Sequence, residues 1–182
     1  SGYTIGNHSL THPHFSELTL DECDREIAET ERIIESVHAR NGIARKHRCF
    51  RFPYGDKGGD HRPAIQEILA RHGFAGIQNL SITYPWYSKH FLDTDRDTYW
   101  TFDALDYRLT SKTAPLTMHE LQDHLASTSP ASGGLLNGGT SDEILLMHDH
   151  ESTAALHPRY YEGIIERIEG FGVGFRKLSP AV

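Results

Sequence analysis

Gly6-Asn7-His8-Ser9-Leu10-Thr11-His12-Pro13 closes a short apolar run, Tyr3 to Ile5, with two histidines four positions apart. If the chain turns helically after a strand, two imidazoles at this spacing face one point and can chelate a divalent cation. An idle surface pair has the same spacing, and the chain holds 13 histidines among 182 residues. The pair therefore needs support from the residues that follow it.

A chain of 182 residues with 37% hydrophobic content can bury one good core, so a single domain over 1–182 is expected. A net charge of -7 with no long basic run argues against a nucleic-acid partner. No apolar stretch approaches the roughly 20 residues of a membrane span. The beginning of the chain has neither an initiating Met nor the charged-then-apolar layout of a signal peptide, and reads as the tail of a strand. Location is not legible in the residues themselves. Cys23 falls on a helical apolar stripe and Cys49 inside a strand, which reads as two packed thiols rather than a bridge.

Downstream, Thr19-Leu20-Asp21-Glu22 is a capping box that starts a helix. Leu20, Cys23, Ile27, Ile34 and Val37 form its buried stripe, and Asn41-Gly42 ends it. Arg48 to Phe52 reads as a strand, Pro63 to His72 as a helix stopped by Gly73, and Phe74 to Gln78 as a strand. An irregular aromatic stretch, Asn79 to Thr98, with Tyr84, Trp86, Tyr87 and Phe91, precedes a strand from Tyr99 to Asp103. Thr117-Met118-His119-Glu120 repeats the capping box ahead of Leu121 and Leu125, and a Ser/Gly-rich loop covers Ser127 to Thr140. Glu143 to His148 has the form of a doubly buried parallel strand. A helix over Pro158 to Glu169 turns Tyr161, Ile164, Ile165 and Ile168 inward, and Val173 to Leu178 is a final strand. Strands alternating with helices predict an α/β fold with a parallel sheet or barrel, whose function gathers at the carboxyl ends of strands. His8, Arg51, Asp103 and His148 all fall at such ends.

The order of motifs carries a resemblance. His8-x-x-x-His12, Arg51-Phe52-Pro53-Tyr54-Gly55, Asp103-Ala104-Leu105-Asp106-Tyr107 and Leu145-Leu146-Met147-His148-Asp149 follow one another as in the polysaccharide deacetylases, the NodB-homology or family 4 carbohydrate esterases. The resemblance spans residue 1 to about Leu178. It implies a deformed (β/α) barrel of the NodB type. His8 and His12 match two ligands of a divalent metal, most often zinc, with cobalt or nickel as alternatives. Arg51 matches the residue that holds a catalytic aspartate, the Tyr54 backbone amide an oxyanion donor beside Pro53, and His148 the general acid. Asp106 matches the carboxylate partner of that imidazole, and Leu146 the wall of an acetyl-methyl pocket.

On the residues alone the same positions have plain readings. Arg51 is a surface ion-pair partner in a turn, His148 a satisfied buried histidine, Asp103 and Asp106 turn-formers capping a strand, and Leu146 ordinary core. Tyr84, Trp86 and Tyr87 either stack on sugar rings or pack on their own domain.

Two departures from the family pattern shape what is expected. The Thr-Phe-Asp-Asp-like strand end that supplies the catalytic base and a third metal ligand does not precede Gly6. Thr101-Phe102-Asp103 is similar, but it follows the histidines and belongs with Asp106. The expected fold thus lacks its first strand and is N-terminally incomplete, part of a longer parent, with a metal held weakly by two imidazoles, so that the activity is expected of the parent and little or none of residues 1–182 alone. Tyr107 stands where the family has Trp, which makes one groove wall smaller and more polar. The implied activity is removal of N-acetyl groups from N-acetylglucosamine-containing glycans, chitin-like or cell-wall, in a secreted or cell-envelope setting. An acetyl ester such as acetylated xylan is the alternative substrate. A glycan-binding module without turnover is the rival function.

Overall fold

The computed structural model describes residues 3–78, 80–90, 94–128, 134–177 and 179–180. Its contacts divide into two compact units, one formed by Ser1–Leu80, Ser88–Tyr99 and Leu178–Val182, the other by Ser81–Tyr87 and Trp100–Lys177.

In the first unit, helix α1 (Leu20–Arg40) starts at the expected capping box. The Thr19 side chain accepts from the Glu22 amide, and the Glu22 carboxylate accepts from the Thr19 amide. Cys23, Ile27 and Ile34 are buried on its inner face, but Leu20 is exposed and Val37 only partly covered. Between Ile27 and Ile34 the stripe continues through a charged residue, Glu31, which is buried. Helix α2 (Arg62–Arg71) begins with Pro at its first turn and stops at Gly73, whose φ is 75°. The two helices close over Phe15, Phe50, Phe52 and Phe74, whose rings meet edge to face at centroid distances of 4.8 to 5.9 Å. Both cysteines are free thiols, and burial pushes Cys23 up to about 11, as suits a packing residue.

Arg48 to Phe52 is extended but makes only one parallel bridge, Asn7 to Phe50. Strand β1 (Ile77–Gln78) pairs antiparallel with β4 (Ser179–Pro180), in register Ile77 with Pro180. This replaces the final parallel strand expected at Val173 to Leu178. Gly172 precedes that run and Gly174 interrupts it, residues 173–177 form no strand, and Phe175 is exposed.

The second unit holds the start of helix α3 (Pro85–Lys89), up to Tyr87, with strand β2 (Phe102–Asp103), helix α4 (Met118–Leu125), strand β3 (Leu145–Leu146) and helices α5 (Glu151–Leu156) and α6 (Tyr160–Gly170). Strands β2 and β3 are parallel, Phe102 opposite Leu145 and Asp103 opposite Leu146. The ladder is short because a side chain intrudes: the Ile144 amide donates 2.8 Å to the Thr101 hydroxyl rather than to a carbonyl. Thr101 donates in turn to Glu143, which also takes bonds from the Tyr84 hydroxyl and, at 2.9 Å, from Asn137. Tyr84 and Tyr87 are buried, so the aromatic stretch packs on its own unit there; Phe91 lies outside the described residues. So does part of the Ser/Gly-rich loop, 129–133.

Helix α4 follows its capping box as expected and buries Leu121 and Leu125. On α6 the buried stripe is Tyr160, Ile164 and Ile168, each four residues apart. Ile165, expected inward, sits one position round the helix and is 39% exposed. Among the described residues the strands make two two-stranded sheets and one isolated bridge, with no closed barrel. No described helix is long and apolar enough to cross a membrane.

Gly58 has φ 89°, and a Cβ there would lie 2.2 Å from Ile65 Cδ1. Gly58→Ala is therefore expected to destabilise by about 1–3 kcal/mol. Gly163, inside α6 with open space around it, is expected to gain about 0.5–1 kcal/mol on the same change. Urea unfolding of the two variants checks the contrast; equal effects would show that neither backbone geometry nor space governs these positions.

Candidate active site

In the first unit Asn7 is fully buried and must satisfy its amide within the protein. Its Nδ2 donates 2.9 Å to the Ile27 carbonyl and 3.3 Å to Glu31, and its Oδ1 accepts from the Ser9 amide at 3.0 Å. Glu31 is paired in turn with Arg45 and, at 3.1 Å, with Arg48. His8 thus leaves a backbone anchored to α1.

The turn that follows is not helical. Ser9 and His12 both have left-handed φ, 66° and 61°, and Glu26 of α1 accepts the Leu10 and Thr11 amides at 2.8 Å. This wrap still brings the His8 and His12 rings to 4.9 Å.

His8 Nδ1 lies 2.7 Å from the Arg51 carbonyl. A carbonyl only accepts, so Nδ1 carries the proton and Nε2 keeps the lone pair that a metal would use. The donor chemistry therefore fits a divalent cation at His8 and His12. The Arg51 guanidinium lies beside His8, 3.4 Å from Nε2.

Pro53 is buried and Tyr54 exposed, its backbone left-handed at φ 56°. The His12 ring meets Tyr54 edge-on at 4.7 Å and the His14 ring stacks on it at 4.0 Å. His14 and Asp56 were not singled out by sequence. Asp56 fixes this loop by accepting from the Ser16 hydroxyl at 2.6 Å and the Gly58 amide at 3.0 Å. Partial burial alone would raise its carboxyl, but these bonds outweigh that and hold it below the ordinary range. The signal available beforehand was the Asp-x-Gly spacing of an Asx turn at Asp56-Lys57-Gly58.

In the second unit β2 and β3 deliver Asp106 and His148. Leu105 is left-handed, φ 59°, and its amide donates 2.8 Å to Asp103, which turns the chain off the strand end. Burial raises the Asp103 carboxyl. Asp106 is wholly buried and accepts twice from one residue, from the His148 amide at 2.9 Å and from His148 Nδ1 at 3.0 Å. Nε2 is left as the ring's outer nitrogen. The Tyr107 ring meets the His148 ring edge-on at 4.9 Å. Leu146 is buried on β3.

Sequence also passed over His124, three residues from Leu121 on the buried side of α4. Its ring stacks on Phe102 at 4.8 Å, and its Nε2 reaches the Asp103 carbonyl at 2.7 Å. Asp103, Asp106 and His148 offer ligand-type atoms within 4.8 Å of one another, the group of three found among the described residues. Both Asp106 oxygens are already engaged by His148, so this closeness is that of a hydrogen-bonded pair. The histidine pair of the first unit has no third side-chain ligand among the described residues.

Zinc binding followed by calorimetry is expected to weaken about tenfold or more in His8→Ala and in His12→Ala. Wild-type affinity in both variants would remove the pair from any metal site.

Residues 1–77 match the family model described as polysaccharide deacetylase. Among solved structures, the chain is similar to a family 4 carbohydrate esterase from Streptomyces lividans in complex with acetate, with 22% sequence identity and a TM-score of 0.53. That alignment covers 98% of this chain and 69% of the esterase chain. No curated protein matches the sequence. Over residues 1–77 the chain is thus similar in sequence to the polysaccharide deacetylases, and its fold is similar to that of a family 4 carbohydrate esterase.

Proposed function

We propose that the protein is a metal-dependent hydrolase that removes N-acetyl groups from N-acetylglucosamine-containing glycans. The observation that carries this reading is the Asp106–His148 pair, in which a buried carboxylate holds both the backbone and the ring of one histidine. With Nδ1–H fixed on Asp106, the imidazolium carries its transferable proton on Nε2, which is where a departing amine would collect it. The Tyr54 amide sits on a left-handed turn and serves as oxyanion donor. His8 and His12 hold the ion, zinc or alternatively cobalt or nickel, which when bound supplies Lewis acidity toward the acyl carbonyl and a water. In the family pattern Arg51 matches the residue that orients a water-activating carboxylate, and Leu146 and Tyr107 match residues that bound the acyl group. We infer that 1–182 belongs to one deacetylase domain of the deformed-barrel type, acting outside the cell or at its envelope, where such glycans occur.

A second reading, removal of O-acetyl esters as from acetylated xylan, is favoured by the likeness to a carbohydrate esterase.

Acetate release from N-acetylglucosamine oligomers and from acetylated xylan tests both. Release from the oligomers should be abolished by chelator, restored by zinc, and lowered about 10²- to 10⁴-fold in His148→Gln. Release from xylan alone would assign the ester reading. Release from neither, with retained binding of the oligomers, would assign a binding module and overturn the enzyme.

A further inference from the structure

The His148 carbonyl is engaged as fully as its amide and ring. The Tyr160 hydroxyl donates to it, and the Tyr161 hydroxyl lies 2.9 Å from the same oxygen and 2.9 Å from an Asp149 carboxylate oxygen. These are the first two residues of α6, entered through Arg159 in a left-handed conformation, φ 64°. Neighbouring residues on a helix point about 100° apart and do not ordinarily share a target. Here their rings come to 4.0 Å, and both hydroxyls reach one carbonyl. For the buried Tyr160 ring, packed with Ile164 and Ile168, phenylalanine would serve the core equally well. The hydroxyls are what the arrangement adds.

We propose that Tyr160 and Tyr161 are positioning residues for His148, fixing its carbonyl so that its ring stays on Asp106. This rests on the reading of His148 as proton donor. Asp106 restrains the peptide plane before the His148 Cα through the amide. The two phenols restrain the plane after it through the carbonyl. With both planes held, the histidine backbone is set, and the ring has one orientation in which Nδ1–H meets Asp106. Each phenol carries a single proton. Tyr160 gives its proton to the carbonyl, and that of Tyr161 lies between the carbonyl and Asp149. Burial raises both phenols above their ordinary value, so they remain donors across the working range.

The test is Tyr160→Phe/Tyr161→Phe, which keeps both rings, with the NMR signal of His148 Nδ1–H as the readout, identified by its loss in His148→Gln. In the wild type this proton should be shielded from exchange by Asp106. In the double variant its exchange with water should quicken at least tenfold. In parallel, kcat on N-acetylglucosamine oligomers should fall about tenfold at unchanged KM. An unchanged Nδ1–H signal overturns the proposal, as does the absence of such a signal in the wild type. If the double variant does not fold, Tyr161→Phe alone, at a partly exposed ring, should speed exchange in the same sense, and an unchanged rate there is equally fatal. A protein that releases no acetate but loses the protected proton in the variant would refute the deacetylase reading and leave the positioning role standing.

Discussion

Asp106 has no access to water, and a buried carboxylate is tolerable only when its oxygens are hydrogen-bonded. His148 meets that demand at both oxygens, with its amide and with Nδ1. Much of the second unit serves this contact. Strands β2 and β3 run parallel, so the turns after Asp103 and Leu146 leave the same end of the sheet. Left-handed Leu105 swings Asp106 across that end, His124 holds the Asp103 carbonyl from α4, and the tyrosines of α6 hold the His148 carbonyl. Removing the acceptor would leave two donors unpaired inside the protein.

The first unit solves a similar problem with a different residue. A histidine pair on an open turn needs an anchor, and buried Asn7 provides it through the Ile27 carbonyl and Glu31. Glu31 is one of the few charges on the inner face of α1, offset there by Arg45 and Arg48. A lone buried carboxylate would cost several kcal/mol, so the arginines are part of the anchor. The result is a rigid approach to His8 and a wrapped turn that returns His12 to it.

Helices were well legible because their signals are local. Thr19 and Thr117 with Glu22 and Glu120 predict both capping boxes, and α1, α2 and α4 stand where the periodicity puts them. Strands were less so, since pairing depends on distant partners. Thr101 takes a ladder position with its hydroxyl, and the chain end pairs antiparallel with Ile77–Gln78, neither of which a run of apolar residues reveals. Of the candidate site, Asp106 with His148 and His8 with His12 were readable from motif order. Glu31, Asp56, His124 and the tyrosine pair were not. They act by hydrogen-bonding backbone or side chains far off in sequence, and their own neighbours carry no mark of it. The helical turn expected between His8 and His12 is replaced by two left-handed residues that happen to give the same convergence of rings.

The most direct test of the account is Asp106→Asn, which preserves shape but replaces one acceptor oxygen by a donor. The amide then faces either the His148 amide, donor against donor, or Nδ1, which must give up its proton and leave the ring in the other tautomer. The account predicts a folded protein whose acetate release from N-acetylglucosamine oligomers drops at least about 100-fold. Wild-type turnover in this variant would contradict the role given to the Asp106–His148 pair.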